Sequence, residues 1–423
     1  MGVPPARPED PATSDPGLYL DAHATTPCDP RVVEAMAPCW RDDLGNPASV
    51  QHAWGRRAAE RVDIARHHVA TTLGVEASEI VFTSGATEAD NLALLGAADA
   101  WRHRHGSPGH LVTAVTEHKA VLDTAMALER RGVDVTWLGV DADGRVDPAA
   151  VADALRDDTF LVSLMVANNE IGVLHPIAEI AEVCRRRGVP IHADAAQALL
   201  TEDCRIERLG VDLLSISGHK LYGPPGIGAL YVRRRRPRIR LEPQSFGGGH
   251  ERGRRSGSLP VPLIVGLGIA CTLTIERRDT DRTRLAELRD RLLDRLRVAF
   301  PRLTVHGSLE HRLPHNLNVA LPAVDASLLL DAVRGVAFAS GSACTTSSRD
   351  GSYVVRALPG VADDAADRAL RFGLLRTATA EQIDRAADEV VRAARSVRGH
   401  RPTDACALPD DTTPALVASG GSR

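Results

Sequence analysis

Short runs of aliphatic and β-branched residues alternate along the chain with longer segments of helical periodicity. Between about Tyr19 and Arg395, this alternation predicts an α/β protein with a mostly parallel sheet covered by helices. The segment EIVFTSGATEADNLALLGAA shows the repeating unit: a strand over Ile80–Thr83, a turn of small residues and then a helix. Further strands are predicted in the segments HLVTAV, FLVSLMV, VPIHAD and VDLLSIS.

Polar residues follow the carboxyl ends of these predicted strands. In open α/β sheets, ligands bind in the crevice beyond these ends. Because five strands deliver polar side chains to one edge, the pattern predicts a single shared site.

The pattern changes after about Ile275, where a long Arg/Asp/Leu helix (TDRTRLAELRDRLLDRLRVAF) precedes short strands and a final helix near Glu381–Ala394. We therefore predict a large domain over 18–275, whose first residues pack with the small domain, and a smaller α+β domain over 276–398. Residues 1–17 are expected to form a disordered leader and residues 399–423 a disordered tail, because both are polar and lack periodicity.

Composition narrows the class of protein. A hydrophobic fraction of 43% and a charged fraction of 25% are typical of a soluble globular protein. With no apolar run near the roughly 20 residues of a membrane span and no secretory signal, we predict a cytoplasmic protein. The net charge of −4 argues against direct nucleic-acid binding. The basic run RRRRPRIR (residues 233–240) is either a solvated strand edge and loop or a docking patch for an acidic partner or a phosphate backbone.

The chain has seven cysteines but no C-x-x-C pair, so the sequence predicts neither a disulfide framework nor a metal site. One of them, Cys344, lies in ASGSACTTSS among small polar residues. It is either a reactive thiol on an exposed loop or a small residue in a confined place.

Lys119 and Lys220 are the only lysines in the chain. Lys220, in SISGHKLYGPPGIG, follows a buried strand and precedes a Gly/Pro-rich loop. A partly desolvated lysine is suited to Schiff-base chemistry. Lys119 starts a predicted helix and should reach solvent, which makes Lys220 the better candidate.

Other strand-end residues are each ambiguous alone. SGATE (Ser84–Glu88) is a phosphate cradle at a helix start or a tight turn, and Asp194 is a partner for a buried cation or a helix cap. His118 could stack on a cofactor ring and move protons or be structural, while Ser217 and His219 can bind phosphate oxygens. Together with Lys220 they describe a site for pyridoxal 5'-phosphate (PLP), whose ring is an electron sink.

Longer motifs resemble a known family. They are YLDAHATTP, GNPAS, FTSGATEADN, TEHKAVLD, NNEIGV, SGHKLYGPPGIGALYVRR, GGGHERGRRSGSLP and SGSACT. The chain resembles the group I cysteine desulfurases of the class V aminotransferase family from about Tyr19 to Arg395. The resemblance implies a PLP-dependent transferase of fold type I with a seven-stranded-type sheet, acting as a homodimer. Such enzymes take sulfur from L-cysteine, release L-alanine and pass the sulfur to an acceptor protein.

The resemblance also implies roles for individual residues. Lys220 would carry the cofactor, Asp194 would pair with its pyridinium nitrogen, His118 would stack on its ring and Gln197 would bond its phenolic oxygen. The phosphate would be bound by Thr87, Ser217, His219, the amide of Ala86 and, from the neighbouring subunit, Ser258. Asn169, also at the cofactor, and Arg371 would bind the substrate carboxylate. The thiolate of Cys344 would attack the substrate sulfur and become a persulfide.

The sequence departs from the family pattern at three places. His23 stands where a small or amide residue is common, and Leu375 stands where the housekeeping type usually has Gly. The tail after Gly399 lacks the aromatic, acidic segment that docks an iron–sulfur scaffold. The acceptor could therefore serve iron–sulfur clusters, tRNA thiolation or DNA phosphorothioation.

Two further functions stay open on the sequence. One is a selenocysteine lyase or another PLP-dependent β-lyase of the same fold. The other is a sulfur-relay scaffold whose partner carries out the chemistry.

Overall fold

A computed structural model describes residues 17–235, 237–340 and 351–398. Within these ranges the strands are β1 (Leu18–Tyr19), β2 (Ile80–Thr83), β3 (His110–Ala114), β4 (Asp134–Leu138), β5 (Thr159–Met165), β6 (Ile191–Asp194), β7 (Leu213–Ser217), β8 (Gly228–Val232), β9 (Thr304–Val305), β10 (Asn316–Ala320), β11 (Val336–Ala337), β12 (Ala339–Ser340) and β13 (Ala369–Gly373). The α-helices are α1 (Pro30–Arg41), α2 (Ala53–Leu73), α3 (Ala86–His105), α4 (Lys119–Glu129), α5 (Pro148–Ala154), α6 (Ile177–Arg187), α7 (Ile206–Leu209), α8 (Val261–Ala299), α9 (Ala326–Ala332), α10 (Tyr353–Arg356) and α11 (Ala380–Val397).

A sheet of seven strands, in the order β2-β8-β7-β6-β5-β3-β4, forms the centre of the described chain. Its strands are parallel except for β8, which runs antiparallel to both of its neighbours. The predicted α/β fold with a mostly parallel sheet is confirmed. The strand order reverses between β3 and β5, which is where open α/β sheets bind ligands.

Alternating side chains of this sheet pack into two separate hydrophobic clusters. Leu111 and Leu161 lie on the face covered by α3 and α4. Val112 and Val162 lie on the opposite face, with α2, α6 and the first half of α8. Because both faces are buried, the central strands are apolar throughout, which explains their continuous hydrophobic runs.

A four-stranded antiparallel sheet, β12-β13-β10-β9, forms a second layer with α9, α11 and the second half of α8. Leu20, near the N-terminus, belongs to its hydrophobic cluster, and β1 pairs with β11. Helix α8 crosses residue 275 without a break, with Leu273 in the large cluster and Leu285 in the small one.

Helix α8 begins at Val261, about twenty residues before the predicted start of the long helix. Its first turns contain the buried residues Val261, Ile264, Leu267 and Cys271 and few charges, so they lack the charged stripe that marked the later part. Among the described helices, none combines the length and the apolar character that crossing a bilayer would require.

The basic run over 233–240 is partly neutralised within the chain. Arg233 lies 2.5 Å from Asp212, and Arg235 lies 3.2 Å from Glu76. Both arginines therefore have partners within the chain.

Candidate active site

A cavity of about 370 Å³ opens at the carboxyl edge of the large sheet. Most of the residues predicted for the cofactor site line it: Ala86, Thr87, His118, Asn169, Asp194, Gln197, Ser217, His219 and Lys220. They come from the ends of β2, β3, β5, β6 and β7, so parallel pairing brings distant sequence positions to one place.

The N-terminus of α3 forms one wall of the cavity. Gly85 precedes the helix at φ 157°, no side chain caps it, and open space surrounds the position a Cβ would occupy. The Ser84 amide donates to Glu88 Oε2 at 2.6 Å, which closes the turn. A long helix whose first turn faces a cavity attracts anions through its amides and its dipole.

Lys220 ends a short 3₁₀ turn after β7 and lies in the cavity. Its Nζ donates to the carbonyl oxygen of Ala24 at 2.7 Å and to that of His23. Thr26 binds the same turn, because its hydroxyl donates to His219 O at 2.9 Å and accepts from the Tyr222 amide at 3.0 Å. The HATTP segment, which the sequence analysis used only as a family motif, therefore positions the lysine.

Lys119 occupies a different environment. It begins α4, and its Nζ lies 5.0 Å from the centre of the Tyr353 ring. It lines a neighbouring groove with Thr87 and His118 but does not line the cavity that holds Lys220.

Asp194 is the last residue of β6, and its Oδ1 accepts the Ala196 amide at 2.8 Å. Burial raises the pKa of this carboxyl group, and the positive charge of His118 or Lys220 would lower it again. A cation placed beside Asp194 would therefore stabilise the ionised form.

Two further carboxyl groups, which the sequence analysis missed, are buried behind Asp194. Burial raises the pKa values of Asp90 and Glu117 well above the ordinary range. Asp90 lies 3.5 Å from Nε2 of His192, whose pKa burial lowers to about 3. Of these three carboxyl groups, only Asp194 lines the cavity.

His118 caps α4, with Nδ1 accepting the Ala120 amide at 3.1 Å. In the neutral ring the proton is therefore on Nε2. Asn169 also lines the cavity, and its buried Oδ1 has no hydrogen-bond partner among the described residues.

Arg371 is wholly buried behind Asn169 and does not line the cavity itself. It donates to Asn169 O at 3.1 Å and to Asp21 Oδ1 at 2.7 Å. Asp21 was not predicted as a site residue, although it belongs to the YLDAHATTP motif.

Two of the predicted site residues remain, Ser258 and Cys344. Ser258 is exposed on the loop before α8 and does not line the cavity of its own chain. Cys344 falls outside the described residues. At the described ends of its segment, Ala339 pairs with Arg371 across the small sheet, and Ser352 donates to Glu170 Oε2 at 2.5 Å.

Comparison with known proteins places this site in a family. The chain belongs to the class V aminotransferase family, whose model matches residues 18–386. It is 54% identical over 368 residues to a protein of Anaeromyxobacter dehalogenans (strain 2CP-C) named cysteine desulfurase IscS, covering 87% of this chain and 90% of that one. It is 49% identical over 387 residues to the protein of the same name from Proteus mirabilis (strain HI4320), covering 91% and 94%.

Solved structures agree with this assignment. A NifS-like protein superimposes with a TM-score of 0.82 at 33% identity, covering 89% of this chain and 98% of that chain. DndA from Streptomyces lividans superimposes with a TM-score of 0.71 at 38% identity, covering 84% and 99%. A structure titled SspA in complex with cysteine gives 0.74 at 36%, covering 84% and 98%. The predicted family and fold type I are confirmed.

PLP, the cofactor of this family, fits the cavity. The N-terminus of α3 suits its phosphate group, Lys220 supplies an amine, and the buried Asp194 suits its pyridinium nitrogen. The buried Oδ1 atom of Asn169 has no hydrogen-bond partner among the described residues and is a further polar group that faces the cofactor site. The cofactor prediction is confirmed.

Proposed function

We propose that this protein removes the sulfur of L-cysteine in the cavity described above, releases L-alanine and passes the sulfur on as a persulfide of Cys344. The protein is a PLP-dependent cysteine desulfurase, as relatives about half identical over most of the chain are named. Cysteine is its substrate, and a sulfur acceptor is its partner. The observation that carries the residue assignment is the convergence of Lys220, Asp194 and His118 on one cavity.

Each wall of the cavity has a proposed part in holding the cofactor. Bound PLP supplies an electron sink for the pair released when the substrate Cα loses its proton. Lys220 would carry it, Asp194 would pair with its ring nitrogen and His118 would stack on its ring. Its phosphate would be bound by Thr87, Ser217, His219 and the amide of Ala86, and Gln197 would bond its phenolic oxygen.

The substrate carboxylate is proposed to bind between Asn169 and Arg371. Asp21 and the Asn169 carbonyl each hold one terminal nitrogen of the guanidinium group, and its buried Nε has no hydrogen-bond partner among the described residues. A guanidinium group with its fork preorganised loses little entropy when it binds a carboxylate. Asp21 therefore orients Arg371 and offsets its charge before the substrate arrives.

Sulfur transfer is assigned to Cys344. Its thiolate attacks the substrate sulfur, an S–S bond forms, and the Cβ–S bond breaks with its electron pair remaining on the carbon skeleton. Cβ takes up a proton and Cα regains the one it lost, which gives alanine. Every cysteine in the described ranges is less suited, because burial raises the pKa values of Cys28, Cys39, Cys184, Cys204 and Cys271.

The described ends of residues 341–350 support the assignment. Strand β12, which precedes this segment, pairs with β13 directly at Arg371. Ser352, which follows it, is bonded to Glu170, the neighbour of Asn169. Both ends are therefore anchored next to residues proposed for the substrate.

A homodimer is proposed for two reasons. Ser258 is exposed in its own chain, as expected of a residue that completes a neighbour's phosphate site. Large apolar side chains are also exposed around α1 and the start of α2, with Trp40 62%, Leu44 64% and Trp54 51% exposed. An apolar patch of this kind marks an interaction surface.

Mixing two inactive variants tests the shared site. Lys220→Ala and Ser258→Ala homodimers should each be impaired, whereas a mixed dimer has one site with both residues intact. Recovery of alanine release after subunit exchange supports a phosphate site shared between chains. No recovery in a verified mixed dimer counts against it.

The central test measures both products from L-cysteine. Alanine should appear with a persulfide on Cys344, detected by mass spectrometry, and Cys344→Ser should abolish sulfur transfer. Cys28→Ser is the matched control and should retain it. Unchanged turnover in Cys344→Ser would instead favour a β-lyase. The acceptor's pathway and a cytoplasmic location stay predictions.

A further inference from the structure

His23 lines the cavity, and the structure shows what its side chain contacts. The side chain is 1% exposed and lines the cavity beside Lys220. Its ring stacks on His315 with centroids 4.6 Å apart and planes at 27°. On the other side, a Cβ at position 373 would lie 2.8 Å from the ring, so Gly373 leaves the ring its space.

Gln197 is bound to His23 at both ends of its side-chain amide. Nε2 donates to the backbone carbonyl of His23 at 3.0 Å. Oε1 lies 2.9 Å from Nδ1 of the His23 ring. A backbone carbonyl can only accept, so the amide group that faces it must be the NH₂ group. This settles the orientation of Gln197 without reference to any ligand.

The orientation of Gln197 in turn settles the state of the His23 ring. Because Oε1 can only accept, Nδ1 must carry a proton and donate it. Burial, followed by the charges of His315 and Arg371, lowers the pKa of His23 well below its ordinary value of 6.5, so the ring is neutral. The tautomer is therefore Nδ1–H, and the buried Nε2, which has no hydrogen-bond partner among the described residues, holds the lone pair.

We propose that His23 is a positioning residue that locks the amide of Gln197, so that its second N–H is aimed at the phenolic oxygen of the cofactor. This rests on the function proposed above. Without the ring, Oε1 would lose its donor and the amide would keep only the backbone contact. A side-chain amide at position 23 could donate in the same way.

The first test uses the cofactor-free protein and needs no activity. The ¹⁵N and ¹H NMR signals of the His23 imidazole, assigned by comparison with His23→Asn, report the tautomer directly. We expect a neutral ring protonated at Nδ1, with that proton slow to exchange. A ring protonated at Nε2, or a cation near pH 7, would overturn the proposal.

The second test measures how tightly the cofactor-free protein binds PLP. His23→Ser should weaken binding about 3- to 10-fold, the effect of losing one hydrogen bond. His23→Asn, which retains an N–H near the same place, should remain within about twofold of the native protein. His23→Ser made in a Gln197→Ala background should have no further effect, because the partner is already gone.

Two outcomes of the second test would refute the role of His23. One is an equal loss of PLP affinity in His23→Asn and His23→Ser. The other is an undiminished effect of His23→Ser on PLP affinity in the Gln197→Ala background. A failure of the proposed function would give a different experimental result from a failure of the role of His23. A protein with the Nδ1–H tautomer and coupled His23 and Gln197 effects, but no alanine release, would refute desulfuration and support the assignment of His23.

Discussion

Arg66 and Glu251 form a buried ion pair that should contribute strongly to stability. Arg66, on α2, donates to both carboxylate oxygens of Glu251 at 2.6 and 2.7 Å. Glu251 also accepts the Phe82 amide of edge strand β2 at 2.9 Å. The side chains are only 8% and 1% exposed. The pair thus fixes the loop that leads to Ser258 against the edge of the sheet.

Arg66→Met would leave the Glu251 carboxylate buried with one remaining donor. Breaking a buried pair from one side costs about 3–5 kcal/mol. The unfolding entropy scales with chain length and is about 0.9 kcal/mol per kelvin for a protein of this size. The expected fall in melting temperature is therefore about 3–6 °C.

Calorimetry of the cofactor-free protein at one scan rate measures this shift. Arg156→Met is the matched control, because Arg156 and its partner Asp158 are each 45% exposed, and such a pair contributes about 1 kcal/mol or less. The double variant Arg66→Met/Glu251→Leu should recover most of the loss, since no buried charge remains. The reasoning fails if Arg66→Met melts within a degree of the Arg156→Met control.

Three further predictions concern the site. Lys220→Ala should abolish the visible absorbance of bound PLP, whereas Lys119→Ala should retain it; the opposite result in spectra of the purified variants would move the assignment to Lys119. Burial raises the pKa of Glu170 from 4.5 to about 7, so the folded state binds this proton more tightly than the unfolded state does. The contribution of Glu170 to the free energy of unfolding is therefore fully present below about pH 4.5 and is lost as the pH rises through about 7. Relative to Glu170→Gln, the native protein should lose about 1–3 kcal/mol of unfolding free energy between pH 5 and 7.5 in urea titrations, and a constant difference would contradict this sign. Gly228→Ala would place a Cβ 2.7 Å from the backbone of Gly85, the residue before α3. It should displace the N-terminus of α3, where the phosphate is proposed to bind, and so weaken PLP binding to the cofactor-free protein. Unchanged affinity would contradict this prediction.

The local sequence pattern predicted the bounds of a strand or helix where a single local signal, such as an apolar run or a glycine turn, determined them. The strand Ile80–Thr83 has the predicted bounds, because an apolar run is followed at once by a Gly turn. The antiparallel strand β8 was not predicted as a strand separate from β7, because the direction of β8 depends on how the chain returns after GPPGIG. The early part of α8 was missed because burial on most sides removes the polar stripe on which a periodicity argument depends.

The residues of the candidate site likewise divide into those that the sequence predicted and those that it did not. The residues lining the cavity were predicted because strand-end polar residues and a family resemblance both pointed to them. Their supporting partners were missed because no local pattern connects them. Asp21 lies 350 positions from Arg371, and His23 lies 174 positions from Gln197.

The sequence by itself determined the alternation of strands and helices, the residue types at the strand ends and the family. Each depends on neighbours along the chain or on matching motifs. Only the tertiary structure decided which groups are buried, which carboxyl groups have raised pKa values and which nitrogen of His23 carries the proton. Those properties depend on desolvation and on partners distant in the sequence, and these exist only when the two sheets and their helices have packed together.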